Sequence, residues 1–169
     1  MASPSRSAVL QPAFILLASL AVIITAHGFE IIGEMEPCQL CYWQRYPYYA
    51  IVVLSALAVF FAAESPQSRI PNWLIGLCGL AFLGGAAIAA YHAGVEYKWW
   101  AGPEACSSQG LVADTAEAFL EAIKGQEIVR CDEVPWSLFG ISMAGYNFLI
   151  SLGLGLLSLT FAYDVKGRK

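Results

Sequence analysis

The residues best suited to chemistry lie in Pro37-Cys38-Gln39-Leu40-Cys41-Tyr42-Trp43-Gln44-Arg45, where two cysteines flank a dipeptide and an arginine follows four positions on. The thiolate is the reactive form of cysteine, and it is favoured at a helix N-terminus or beside a cation. If a helix opens near Pro37, a residue suited to the first turn, both sulfurs meet backbone N–H groups that favour negative charge. Cys41 and Arg45 are then i and i+4, on one face. On this reading Cys41 is the sulfur held as a thiolate. Cys38, nearer the outer solvent, is the one that exchanges with another cysteine. Spacing alone leaves three readings open: a redox dithiol, half a zinc site and a static bridge.

Cys106 and Cys131 form a second candidate pair, twenty-five residues apart. As a bridge they would close a loop contributing roughly 3–4 kcal/mol by the chain-entropy model. Beside a neighbouring Cys-x-x-Cys they gain another use, because two dithiol pairs on one face can pass electrons through mixed disulfides. One pair would face a protein and the other a lipid-soluble carrier. Static disulfides or a structural four-cysteine metal site remain the alternative. Cys78, inside an apolar run, reads as a small buried residue. His92 ends a span and reads as interfacial packing. His27 and Glu30 either line a cavity or reach the interface.

The elements that must position these groups are membrane helices. Of 169 residues, 58% are hydrophobic and 13% charged, against about a quarter charged in a soluble domain. The net charge of −4, with no basic cluster, gives no footprint for nucleic acid. We expect one membrane domain over residues 1–169 with spans near 13–32, 42–63, 73–92 and 145–163. Loops 33–41 and 93–144 share one side. The uncharged run from Pro47 to Ala63, seventeen residues, is short for a span, so the second helix should begin upstream, close to Cys41, with Pro47 kinking or starting it. Small residues in the third run, Gly76, Gly79, Gly84 and Gly85 among them, allow close helix approach.

Positive charge sets the orientation. The ends and the 64–72 connection carry five basic residues and two acidic ones; 93–144 carries three basic and eight acidic. The termini should be cytoplasmic and both cysteine pairs periplasmic, where disulfides persist. Within the long loop, Asp114 and Glu117 have capping-box spacing and predict a short amphipathic helix over 114–124.

These features resemble the disulfide bond formation protein B (DsbB) family of bacterial inner-membrane thiol oxidases. The resemblance rests on Pro37-Cys38-Gln39-Leu40-Cys41 with Arg45, on Tyr91-His92 ending the third span, and on the run from Cys131-Asp132-Glu133-Val134-Pro135-Trp136 to Met143. It implies an all-α four-transmembrane-helix bundle. The implied activity is that of a quinone-dependent thiol oxidase, reoxidising a periplasmic thioredoxin-fold (DsbA-like) dithiol oxidase and reducing ubiquinone or menaquinone. By position, Cys106 would be attacked by the partner's thiolate and the released Cys131 would bridge to Cys38. Cys41 would then be free to engage the quinone. Arg45 and His92 resemble the family's quinone-site residues. No resident metal is implied.

Overall fold

The computed structural model describes residues 6–65, 67–103 and 130–164. Cys106 and the expected 114–124 helix lie outside the described residues. The described residues form four long helices, α1 (Arg6–Ile31), α2 (Gln39–Glu64), α3 (Ile70–Glu96) and α4 (Met143–Asp164). Each is long and apolar enough to cross a membrane.

Pro47 lies inside α2 without ending it. The helix begins at Gln39 because Cys38 takes the N-cap, its extended backbone and its sulfur accepting the Cys41 N–H. α3 runs one turn past His92 to Glu96. Apolar Ala93 and Val95 continue its buried face, and Trp100 folds back so tightly that a Cβ on Gly94 would fall 2.0 Å from its ring.

The core comprises Ile15, Tyr48, Ile51, Ala58, Ile75, Cys78 and Phe82. α3 is central and packs along α2 and α4, while α1 leans on α2 and barely touches α4. Glycine makes the α3–α4 approach possible. A Cβ on Gly79 would meet Leu159 at 2.9 Å, and one on Gly155 would meet Leu83 at 3.1 Å. Buried serine hydroxyls at 19, 55 and 158 are satisfied by carbonyls four residues earlier, as a water-free surrounding requires.

Between Cys131 and α4 the chain adds a hairpin, β1 (Ser137–Leu138) against β2 (Ile141–Ser142). Phe139 and Gly140 both turn with positive φ, 51° and 78°, as a tight two-residue loop requires. Strands of two residues carry no readable periodicity, so the sequence did not announce them. Tyr97 ties the hairpin to the end of α3: its hydroxyl donates to the Gly140 carbonyl at 2.9 Å and accepts the Ser142 N–H at 3.1 Å.

Candidate active site

Cys38, Leu40, Val95 and Cys131 form a second buried cluster where α2 begins and α3 ends, with Cys41 packed against it. Cys131 is disulfide-bonded, whereas Cys38 and Cys41 are free thiols. Lys98, just past α3, fixes the chain next to Cys131. Its Nζ donates to the Asp132 carbonyl at 2.7 Å and to its carboxylate at 2.6 Å, and Arg130 grips the same carboxylate. Arg130 first, then Lys98, hold the Asp132 carboxyl below the usual carboxylate range.

The two sulfurs of the first pair have exchanged the environments expected of them. Cys38 is 5% exposed and Cys41 is partly exposed. Cys38 Sγ lies 3.2 Å from Cys41 Sγ, accepts the Cys41 backbone N–H at 3.4 Å and lies 3.6 Å from His92 Nε2. Chiefly through the Cys41 thiol, and with His92 helping against the opposing effect of burial, the Cys38 thiol is pulled down to about 4. Cys38 is therefore the anion-stabilised sulfur of the free dithiol. The reason is local: the N-cap sulfur collects the first-turn donors, and Cys41 is one of them.

Arg45 has a partner that its spacing did not suggest. Its Nη1 donates to Glu30 Oε2 at 2.5 Å, and its guanidinium lies 5.3 Å from the Tyr42 ring centre. His27 Nδ1 reaches the same Glu30 oxygen at 3.2 Å, and its Nε2 pairs with the Tyr49 hydroxyl at 3.1 Å. The i+4 rule could not foresee a carboxylate arriving from α1.

His92 is buried, not interfacial. Its Nδ1 lies 2.7 Å from Gln44 Nε2, and its Nε2 lies 3.9 Å from Glu96 Oε1 one turn along α3. Glu96, which the sequence reading assigned to the outer loop, is buried. Its Oε2 has no hydrogen-bond partner among the described residues. The i, i+4 spacing of His92 and Glu96 is the signal that could have found it.

A cavity of about 410 Å³ is lined by residues of all four helices and of the segment leading into α4. Its walls are largely apolar (Val22, Phe29, Trp136 and Ile150 among them), and Cys41, Arg45, His92 and Glu96 converge on it. A flat ring with two polar oxygens fits such a site: the apolar walls would take the ring, and the unpartnered Glu96 oxygen and the Arg45 guanidinium would hold its polar edge. The sulfurs of Cys38 and Cys41 and Nε2 of His92 lie within 4.8 Å of one another. A cation there would need a lone pair on His92 Nε2, so the ring's tautomer decides whether the three atoms could serve as ligands.

The match to the family model described as disulfide bond formation protein DsbB extends over residues 9–161. A disulfide bond formation protein B of Methylococcus capsulatus is 31% identical, over 94% of this chain and 95% of its own. One of Verminephrobacter eiseniae is 30% identical, over 93% and 88%. An uncharacterized protein of Rickettsia prowazekii is 26% identical, over 83% and 79%. No solved structure matches. With most of its length matched by that model and two cysteines free beside a third in a disulfide, this chain belongs to the DsbB family of disulfide bond formation proteins, whose activity is that of a disulfide oxidoreductase.

Proposed function

We propose that this chain oxidises a periplasmic thioredoxin-fold (DsbA-like) dithiol oxidase and passes the electrons to a membrane quinone, ubiquinone or menaquinone. It would sit in the bacterial inner membrane with both termini cytoplasmic and both cysteine pairs periplasmic. The partner's thiolate attacks Cys106 in its disulfide with Cys131, and Cys131 leaves as a thiolate. Cys131 then attacks Cys38 of a Cys38–Cys41 disulfide, releasing Cys41. The partner's second thiol resolves the mixed disulfide, and the freed Cys106 displaces Cys38 from Cys131. The partner has lost two electrons and two protons, and both reside on Cys38 and Cys41.

A bound quinone takes up two electrons and two protons. Cys41 faces that cavity, Arg45 is placed to hold negative charge on a ring oxygen, and Glu96 can lend or take a proton at one. The observation that carries this reading is the division between the sulfurs: Cys38 packs with Cys131, while Cys41 lines the cavity.

Cys41→Ser should abolish quinone reduction by a reduced thioredoxin-fold partner while leaving the membrane-embedded fold intact. Full turnover by that variant would overturn the assignment. Cys131→Ala should accumulate a mixed disulfide between Cys106 and the partner, detectable on a non-reducing gel.

A further inference from the structure

A line of side-chain amides and hydroxyls runs from α4 to the sulfur site. The Tyr48 hydroxyl donates to Asn147 Oδ1 at 2.8 Å and also lies 2.8 Å from Ser151 Oγ. Asn147 Nδ2 donates to Gln44 Oε1 at 2.6 Å. Gln44 Nε2 donates to the Leu40 carbonyl at 3.2 Å and faces His92 Nδ1 at 2.7 Å. His92 Nε2 faces Cys38 Sγ at 3.6 Å.

The direction of this line is fixed at one point. A carbonyl oxygen can only accept, so the Gln44 atom facing Leu40 must be the amide nitrogen. That nitrogen donates to Nδ1, which therefore holds a lone pair. A neutral imidazole with Nδ1 accepting carries its proton on Nε2. Protonating Nδ1 as well would set an N–H against an NH₂.

We infer that Gln44, oriented by Leu40 and Asn147, is a positioning residue that locks His92 as a neutral Nε2–H donor toward the Cys38 sulfur. His92 then acts as a fixed dipole and not as a proton shuttle or an imidazolium partner. The titratable groups around it are Cys38 and Cys41 on the α2 side, Glu96 on its own helix and Cys131, already in a disulfide. Arg45 and Glu30 are paired with each other. The consequence is a dithiol whose reactivity does not follow histidine titration between about pH 5 and 8, where an ordinary imidazole changes charge. Only the reactivity consequence rests on the redox reading above; the tautomer does not.

The test is nitrogen NMR of histidine-labelled full-length protein, reduced and in lipid nanodiscs, with His27→Gln included to isolate His92. The expected spectrum is a single neutral form protonated at Nε2, unchanged from pH 5 to 8. An imidazolium or an Nδ1–H form at pH 7 would overturn the inference. Gln44→Leu removes the donor. His92 should then titrate within that range, and the pH profile of Cys38 alkylation, read by mass spectrometry, should gain a second inflection. A Gln44→Leu protein that keeps the locked tautomer and a single inflection also overturns it. The wild-type spectrum decides the matter if that variant fails to fold. None of these readouts requires a quinone, so they can fail while the Cys41→Ser prediction stands, or the reverse.

Discussion

Cys78 and Cys38 are both buried, at 0% and 5% exposure, yet one is packing and the other is chemistry. Cys78 lies mid-helix among Ile51, Ile75 and Phe82, and its thiol makes a long contact with the Ile51 carbonyl at 3.9 Å. Cys38 lies at a helix start among donors: a thiol, a backbone N–H and an imidazole. Burial therefore says little about a sulfur's reactivity. What decides it is whether the surroundings can stabilise a thiolate, and a membrane protein provides such surroundings where helices end.

This contrast can be tested, beginning with the largest effect. Alkylation of the reduced protein at pH 6 should label Cys38 more than about a hundredfold faster than Cys78, since an apolar site leaves a thiol inert. The Cys38 rate should fall only as pH drops through about 4, because the thiolate is lost on protonation. A midpoint near the ordinary thiol value of about 8.5 would erase the distinction. Next, His92→Ala should move that midpoint upward by about one to two units. A hydrogen bond to a charged group contributes about 1.5–3 kcal/mol, and one unit corresponds to about 1.4 kcal/mol. Arg45→Ala should raise the quinone concentration needed for half-maximal rate by about tenfold, as expected for loss of one charge-assisted contact, with little change in thermal unfolding. The smallest effect belongs to Cys78→Ala, which should leave thiol–quinone turnover unchanged and cost about 1 kcal/mol of stability.

Much of this layout was legible in the chain. Uncharged runs bounded by Glu64, Arg69 and Asp164 fixed four helices, because lipid excludes charge from long segments. Cys38 and Cys41 stood out by spacing. Which of the two is anion-stabilised was not legible, since it depends on which cysteine takes the N-cap of α2, with His92 arriving from α3, fifty-four positions away, adding to the effect. Nor was the employment of Arg45, whose partner Glu30 belongs to α1. Gln44 and Asn147 carried no signal at all: a glutamine and an asparagine become meaningful only when the packing of α2 against α4 brings their amides within 2.6 Å. Local rules read faces and ends, whereas cross-helix pairings need the assembled bundle.

The thin contact between α1 and α4 bears on how the site is supplied. Were those two helices to part, the cavity they help to line would be reached sideways, and a long hydrocarbon tail would trail outside while only the head group entered. Occupancy would then track how much acceptor is dissolved in the bilayer, and tail length would matter little to selection.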